Sequence, residues 1–321
     1  MGNAFGAFAN PPLSKTFIGA GLSTELGTWI PAGEVVAYVH DEGPADGMHQ
    51  DVAARLDLTI NAALAKCRAG QNDIVVVLPG HTENVDSADD WDNLVAGTTI
   101  VGLGTGNNRP TFTWSTATST VLFDVANVAI SNCIFEMAGP SGTTALTVAD
   151  GIIVSAAGCS ISNCKFHTEI DADQGAVFAL RTTAAGDDLT VDCCQFYGSG
   201  DGTLPTTQIR LVGADRFRMF NSTLSGYTSS VNVGLLQMLT TASTDVHIEN
   251  CTFAHYLASS VHAATGMAGA TGNVVRCNFG ILDNATLAGF ETEGNLQFFG
   301  CLVTNLAGEA NAALKTPTSA T

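Results

Sequence analysis

Apolar residues recur along most of this chain in short runs, which predict strands rather than long amphipathic helices. One six-residue motif repeats between residues 130 and 303, with apolar residues or Cys at its first, fourth and sixth positions. Its copies are Ile130-Ser-Asn-Cys-Ile-Phe135, Ile161-Ser-Asn-Cys-Lys-Phe166, Val191-Asp-Cys-Cys-Gln-Phe196, Met219-Phe-Asn-Ser-Thr-Leu224, Ile248-Glu-Asn-Cys-Thr-Phe253, Val274-Val-Arg-Cys-Asn-Phe279 and the divergent Phe298-Phe-Gly-Cys-Leu-Val303. The fourth positions follow one another at intervals of 31, 30, 28, 29, 26 and 24 residues, so the motif marks a structural repeat.

The spacing inside the motif predicts two short strands joined by a sharp bend. In a straight strand alternate side chains face opposite sides, so positions one and four would not share a face. A bend at position three removes this conflict, because Asn and Gly tolerate the left-handed backbone that it needs. The residues of these two types at position three are Asn132, Asn163, Asn221, Asn250 and Gly300. Cys193 and Arg276 occupy the same position, and the pattern does not support a bend in those two copies.

A further apolar run lies between consecutive motifs, at 152–154, 177–180, 209–212 and 233–239. Each repeat therefore holds about three short strands. The arrangement that satisfies them is a solenoid, in which each coil rises by about 4.8 Å and pairs with the next coil. Equivalent residues then stack in columns, in which Asn side chains hydrogen-bond and aromatic rings pile up. The predicted columns are Asn132, Asn163, Asn221 and Asn250; Cys133, Cys164, Cys194, Cys251, Cys277 and Cys301; and Phe135, Phe166, Phe196, Phe253 and Phe279.

These repeats resemble the right-handed parallel β-helix of the pectate-lyase-like superfamily. Residues 51–67 have apolar residues at helical spacing and lead into the apolar run 73–80, which ends in Pro-Gly. This order is similar to the segment that caps many β-helices. The resemblance covers about residues 50–305 and implies an all-β solenoid of about eight coils with an N-terminal capping helix and an N-terminal arm. It implies little about function, because unrelated activities occur on this scaffold.

The expected organisation has four segments. Residues 1–49 form an N-terminal arm or docking segment, residues 50–72 a capping helix, residues 73–305 the parallel β-helix, and residues 306–321 a C-terminal tail. Unpaired strand edges at the ends of a solenoid favour aggregation, and the helix is expected to cover the first edge. The tail is too short for a convincing cap, so a second subunit is expected to cover the far edge.

The composition of the chain argues against several classes of function. The 321 residues include 12 Lys+Arg and 30 Asp+Glu, and a net charge of −18 disfavours nucleic acid as a partner. No stretch approaches the ~18 apolar residues of a membrane span. No basic region precedes Lys15, so a secretory signal is not predicted. Synthesis in a reducing cytoplasm and an odd total of nine cysteines favour free thiols, with pairing between subunits left open.

The cysteine column has two interpretations, a metal or redox site and a row of small buried thiols. Metal ligands converge on one point, whereas a column spreads its thiols along the solenoid axis. Ser222 fills the same slot, which indicates selection for size. The structural interpretation is therefore favoured, and no metal, cofactor or catalytic residue is predicted.

Lyases on this scaffold resemble one another in placing acidic calcium ligands beside an Arg or Lys base. The residues of this chain that fit such a set are Arg181, Arg210, Asp187, Asp188, Glu169, Asp171 and Asp173. Solvated surface charge is the favoured interpretation, because no acidic residues recur at matching positions of neighbouring coils. Of the pectin-hydrolase signatures only paired aspartates occur, at 89–90 and 187–188, and nothing singles out one pair.

The sequence therefore favours a non-enzymatic structural protein at the surface of a bacteriophage particle. The expected role is capsid decoration or a head fibre, docked on a capsid or other virion protein through the N-terminal arm. A homo-oligomer is expected, a trimer by analogy with phage proteins of this class. The alternative is a tailspike-type depolymerase, a lyase or hydrolase that acts on a host-surface polysaccharide.

Overall fold

In the computed structural model each motif forms two short strands that meet at a bend, and the chain is a parallel β-solenoid. The predicted fold class is thereby confirmed. The structure describes residues 35–43, 50–137, 146–171, 174–198, 206–228, 234–256, 262–266, 269–281, 289–291 and 295–305. The segments 1–34 and 306–321, which include most of the predicted arm and the whole predicted tail, lie outside the described residues.

Three faces make up each coil. Face one is a parallel 11-stranded sheet in which successive strands lie one coil apart. Its strands are β1 (Val35–Val39), β2 (Leu56–Asp57), β3 (Ile74–Val77), β5 (Thr99–Gly102), β8 (Ala129–Ser131), β11 (Ser160–Ser162), β14 (Thr190–Asp192), β17 (Arg218–Phe220), β20 (Val246–Glu249), β23 (Thr271–Val275) and β26 (Asn295–Phe299).

Faces two and three belong to one 16-stranded sheet, joined by the antiparallel pairing of β12 with β13. The strands of face two are β4 (Thr82–Val85), β6 (Thr111–Trp114), β9 (Ile134–Glu136), β12 (Lys165–Asp171), β15 (Gln195–Gly198), β18 (Thr223–Gly226), β21 (Thr252–His255), β24 (Asn278–Ile281) and β27 (Leu302–Asn305). Those of face three are β7 (Val121–Phe123), β10 (Leu146–Val154), β13 (Gln174–Thr182), β16 (Thr207–Leu211), β19 (Leu236–Met238), β22 (His262–Thr265) and β25 (Gly289–Glu291).

The regular part of the solenoid has about six coils, each of which begins with a motif and contains one strand of every face. This number is slightly lower than the predicted eight, because the coils at the two ends are less regular. The coil of β3 and β4 has no described strand on face three, and the last motif is followed by no described strand after β27.

The bend at motif position three is present in every copy. The φ angles at this position are 58° at Asn132, 51° at Asn163, 53° at Cys193, 47° at Asn221, 54° at Asn250, 51° at Arg276 and 64° at Gly300. Cys193 and Arg276 therefore adopt the left-handed conformation that their residue types do not predict. The hydrogen bonds of the coils on either side hold the backbone there, and their sum outweighs a cost of about 1–2 kcal/mol.

A second column of left-handed residues lies at the opposite end of the face-one strands. Its members are Asn72, Gly97, Asn127, Gly158, Asp188, Arg216 and Asp245, with φ between 53° and 84°. Two left-handed residues thus bracket strands such as β8, which lies between Asn127 and Asn132. Gly158 is required in this column, because a Cβ there would lie 2.4 Å from Oδ1 of Asn127.

A column of phenylalanine rings fills the interior behind face two. Phe135, Phe166 and Phe196 occupy equivalent positions, with ring centroids 4.9 and 4.3 Å apart. Phe253 and Phe279 continue the column at 5.0 Å, and Leu224 fills the position between the two groups. The structure adds Phe112, which lies before the first motif and stacks on Phe135 at 5.9 Å.

The asparagine column is formed in two parts. Asn132 donates to the carbonyl oxygens of Gly102 (2.8 Å) and Gly104 (3.0 Å), and Asn163 donates to Oδ1 of Asn132 at 2.9 Å. Cys193 interrupts the column, and Asn221 donates instead to Oδ1 of Asp192 at 3.0 Å. Each side chain thus ties the bend of one coil to the coil before it.

The cysteine column lies beside the bends. All nine cysteines of the chain are free thiols, and the six column members are buried. Each of these six donates its thiol hydrogen to the carbonyl two residues earlier, at 3.2 to 3.8 Å. Ser222 makes the same contact, with the carbonyl of Phe220 at 2.7 Å, which agrees with a role set by size.

The N-terminal cap differs from the single helix predicted over residues 50–72. Two short helices, α1 (Gln50–Ala53) and α2 (Ile60–Leu64), flank strand β2, which pairs with β1. Thr59 prevents one continuous helix, because its backbone is extended and its side chain caps the start of α2. Strand β1 falls within the predicted arm of residues 1–49, yet it pairs with β3 and belongs to the solenoid. The strand Val35–Val39 is therefore part of the solenoid and not of an arm.

Replacing Asn132 tests the first bend. Asn132→Ala should lower the free energy of unfolding by about 2–4 kcal/mol, because it loses three side-chain hydrogen bonds and strains a left-handed position. Asn132→Gly loses the same bonds but keeps the backbone freedom, so its loss should be smaller. Guanidinium denaturation of both variants measures the difference, and an Ala variant as stable as the Gly variant would contradict the role of the bend.

Replacing Phe166 tests the aromatic column. Phe166→Ala should cost about 3–5 kcal/mol of unfolding free energy, since it opens a cavity between two stacked rings. Phe166→Leu is the matched control and should cost less, because Leu224 fills the equivalent position of another coil. Little or no loss for Phe166→Ala in guanidinium denaturation would show that the ring does not stabilise the interior.

Candidate functional site

The members of the lyase set that the structure describes do not meet. Arg181 and Arg210 are equivalent residues of neighbouring coils on face three, as the sequence suggested. Arg181, however, holds both carboxylate oxygens of Asp150, at 2.5 and 3.0 Å. Arg210 lies over the ring of Phe178, 4.8 Å from its centroid. Both side chains therefore contact the coil before their own.

The paired aspartates 187 and 188 lie at the second bend column, where Arg216 contacts both. Nε and Nη2 of Arg216 donate to Asp188 at 2.6 and 2.8 Å, and Nη2 also reaches Asp187 at 3.4 Å. A hydrogen bond from Arg216 lowers the pKa of Asp188. The set predicted from the sequence is thus divided between two separate ion-pair clusters. Asp173 and the side chains of Glu169 and Asp171 lie outside the described residues.

Arginine side chains contact a neighbouring coil throughout the solenoid. Arg218 pairs with Asp245 at 2.9 Å, Arg276 pairs with Glu249, and Arg109 donates to the carbonyl of Asn163 at 2.9 Å. With Arg181, Arg210 and Arg216, six arginines connect one coil to another. Arg55 and Arg68 make the corresponding contacts at the cap, with the carbonyl of Val35 and the carboxylate of Asp73.

Carboxylates concentrate instead in one open depression beside the N-terminal cap. This acidic cleft has a volume of about 560 Å³ and lies between α2, strand β4 and the segment 86–92. Its carboxylates are Asp41, Glu83, Asp86, Asp89, Asp90 and Asp92. Leu58 also lines the cleft and is 59% exposed. Only the aspartate pair 89–90 was noted in the sequence, because the other members are far apart along the chain.

One side of the acidic cleft is ordered by the first turn of α2. Glu83 accepts from the backbone amide of Ile60 at 2.8 Å and contacts Nε2 of the buried His81 at 2.9 Å. Asp41 accepts from the hydroxyl of Thr82 at 2.7 Å. On the other side Asn61 donates to Asp92 at 2.7 Å. These contacts fix the carboxylates at the rim.

The acids at the base of the cleft have shifted pKa values. Burial and the negative charges of Asp124, Asp92 and Asp90 raise the pKa of Asp89. Its Oδ1 atom is buried and has no hydrogen-bond partner. Burial also raises the pKa of Asp90, against a hydrogen bond from Ser87. At Asp41 burial opposes ionisation, but the hydrogen bond from Thr82 and other contacts leave the pKa below its usual value.

The acidic cleft therefore holds one acid with a lowered pKa, Asp41, and two acids with raised pKa values, Asp89 and Asp90. Among the described residues no three His, Cys, Asp or Glu side chains are placed so that they could hold a metal ion. No helix in the part of the chain that the structure describes is long and apolar enough to cross a membrane.

A smaller depression of about 300 Å³ lies where the asparagine column breaks. Cys193 stands at the break and is exposed, and Arg109, Asn163 and Gln195 line the same depression. Burial and the neighbouring carboxylate of Asp192 raise the pKa of Cys193. A protonated thiol is a poor nucleophile, so Cys193 is not an activated attacking group.

Comparisons with known proteins give structural neighbours only. No protein-family model matches the chain. No curated protein matches it. The A-module of mannuronan C-5 epimerase AlgE6 from Azotobacter vinelandii aligns over 76% of this chain and 94% of its own, with 10% identity and a TM-score of 0.32.

Two viral proteins align over longer parts of the chain. The tailspike protein gp49 of Acinetobacter baumannii bacteriophage Fri1, a capsular polysaccharide depolymerase, aligns over 85% of this chain with 10% identity and a TM-score of 0.30. The ORF18 protein of Geobacillus virus E2 aligns over 84%, with 12% identity and a TM-score of 0.30. This chain spans 56% and 61% of those two chains. At these values the neighbours carry no information about its activity.

Removing the charge of Asp89 should stabilise the protein at neutral pH. A raised pKa in the folded state means that stability is complete below the unfolded value of 3.8 and is lost as the pH rises through the folded value. Asp89→Asn should therefore raise the free energy of unfolding at pH 7 by roughly 0.2–1 kcal/mol, a range suited to a partly exposed group. The gain should vanish near pH 3.5, as denaturation curves at both pH values will show.

Asp188→Asn provides the matched control with the opposite sign. The lowered pKa of Asp188 contributes stability above its unfolded value, and this contribution is lost as the pH falls through the folded value. The variant should therefore be less stable than the wild type at pH 7 and equal to it at low pH. A destabilising Asp89→Asn substitution at pH 7 would contradict the electrostatic description of the acidic cleft.

Proposed function

We propose that this chain is a structural component of a bacteriophage particle and that it decorates the capsid surface. It docks on a capsid or other virion protein through the residues before Val35. The observation that carries this proposal is the set of contacts that arginine side chains make between coils. Six of these side chains bridge from coil to coil, so they stiffen the column and leave no described guanidinium set aside as a catalytic base.

The interior supports the same role. Two columns of left-handed bends, the phenylalanine column and the buried thiols repeat with little variation through the regular coils. Such repetition produces a stiff column whose length is set by the number of coils. The eleven strands of face one, at a spacing of ~4.8 Å, span roughly 48 Å along the axis, which suits a decoration on a shell better than a long receptor-binding spike.

Assembly as a homotrimer is part of the proposal. It is supported by the resemblance of the repeats to phage β-helix proteins, among which trimers are common. The exposed side chains of Phe299 and Leu302, which are 51% and 45% accessible at the C-terminal end of the described residues, also favour a further contact there.

A depolymerase is the second candidate, and the acidic cleft favours it. Asp89 and Asp90 have raised pKa values in the same cleft as Asp41, whose pKa is lowered, and a glycosidase needs an acid and a base in one site. On this alternative the substrate is a host-surface polysaccharide. The face-three arginines, which the sequence offered for a lyase, are held by Asp150 and Phe178.

Deletion of residues 1–20 tests the docking role. An arm that orders on the shell adds binding energy only in the assembled state, so its removal should abolish decoration. Binding is measured by sedimentation of the variant with parent particles that lack the wild-type protein. The far-UV circular dichroism spectrum should remain that of a strand-rich protein, and replacement of residues 1–20 by a Gly-Ser segment of equal length serves as the control. Full decoration by the truncated chain would refute docking through this segment.

A polysaccharide screen separates the two candidates. The structural role predicts no release of reducing or unsaturated sugars from acidic or capsular polysaccharides, with or without calcium. If sugars are released, loss of activity in Asp89→Asn and Asp90→Asn but not in Arg181→Ala would place a hydrolase in the acidic cleft. Loss in Arg181→Ala alone would place a lyase on face three.

A further inference from the structure

The last three motif copies contribute a separate group of thiols to the cysteine column. Cys251, Cys277 and Cys301 occupy the same motif position in consecutive coils. Ser222 separates this group from the three thiols of the earlier coils. Cys251 and Cys301 lie in the coils on either side of Cys277.

The register of the backbone sets the distance between neighbouring thiols. The amide of Leu302 donates to the carbonyl of Cys277 at 2.9 Å, and Asn278 pairs with Leu302, so Cys277 and Cys301 occupy equivalent positions directly before the parallel strands β24 and β27. Residues at equivalent positions of neighbouring coils have Cα atoms about 4.8 Å apart, the strand spacing. Disulfides join residues whose Cα atoms are roughly 4.4–6.8 Å apart. The Cα spacing of the two cysteines therefore falls within the range of a disulfide.

The position of this pair gives an oxidant its best access to the column. β26 and β27 are the end strands of their sheets within the described residues, and each has one neighbour. The end coil of a solenoid opens more readily than an inner coil, because it loses contacts on one side only. Cys301 is already 5% exposed, whereas Cys277 is 1% exposed.

We propose that Cys277 and Cys301 form a disulfide that closes the last coil when the protein meets a small-molecule disulfide such as glutathione disulfide. The Cys301 thiolate attacks one sulfur of the oxidant and releases one small thiol. The Cys277 thiolate then attacks the Cys301 sulfur of the mixed disulfide and releases the second small thiol. The two cysteines lose two electrons and two protons, and the oxidant gains them. This inference does not depend on the proposed function.

The surroundings of the pair predict how the reaction depends on pH. A hydrogen bond with Cys251 raises the pKa of Cys277 to about 12, and a hydrogen bond with Cys277, followed by burial, raises that of Cys301. Since the thiolate is the attacking form, the cross-link should form slowly at pH 7 and faster at pH 9.

The test uses the full chain, purified in reductant and then exposed to glutathione disulfide at pH 9. Free thiols are alkylated in denaturant, and the peptides are mapped by mass spectrometry. The expected product is a peptide pair joined through Cys277 and Cys301. Amide hydrogen exchange in 302–305 should become on the order of a hundredfold slower, as ring closure restricts opening of the last coil.

Two variants accompany this test. Cys301→Ser should abolish the linked peptide, and Ser222 shows that serine fits this motif position. Cys133→Ser, in the earlier group of thiols, should leave the linked peptide unchanged. Conversion of the exposed Cys193 to the mixed disulfide serves as the control that the oxidant was active. If Cys193 reacts while Cys277 and Cys301 both remain free thiols, or if Cys277 links to Cys251 instead, the proposal is overturned.

Discussion

A left-handed backbone at both ends of the face-one strands from β8 to β20 is the constraint on which this molecule depends. Only a bend of that kind lets positions one, four and six of the motif all face the interior. Once the bends are set, backbone hydrogen bonds hold each coil in register with the next, and the Asn, Cys and Phe columns follow from that register. The identity of the bend residue is secondary, since Cys193 and Arg276 adopt the same φ as the asparagines.

The surface chemistry is also governed by the coil repeat. A side chain that lies one coil from an equivalent residue has a partner about 4.8 Å away along the axis. Six arginines make contacts of this kind, and Arg181, Arg216 and Arg218 each neutralise a carboxylate of a neighbouring coil. The acidic cleft is the exception, because its carboxylates face one another beside the irregular cap. There mutual repulsion and burial combine to raise the pKa of Asp89.

The repeat made the solenoid and its three columns predictable from the sequence, because the motif reports directly on register. The second bend column was missed, since Gly158, Asp188 and Arg216 share a backbone conformation but no residue type. The capping helix was predicted as continuous because apolar spacing does not reveal that Leu56–Asp57 pairs with β1. The acidic cleft could not be predicted from the sequence, because Asp41 and Asp92 are brought together only by the folded cap.

The unequal lengths of the coils have a consequence for how such a chain can change over generations. The intervals between motif cysteines fall from 31 to 24 residues, whereas the motif keeps six residues in every copy. Insertions and deletions are therefore absorbed in the connections outside the columns, where they do not alter register. Mutation can accordingly change the length of exterior loops without changing the interior. Whole coils can also be duplicated as units.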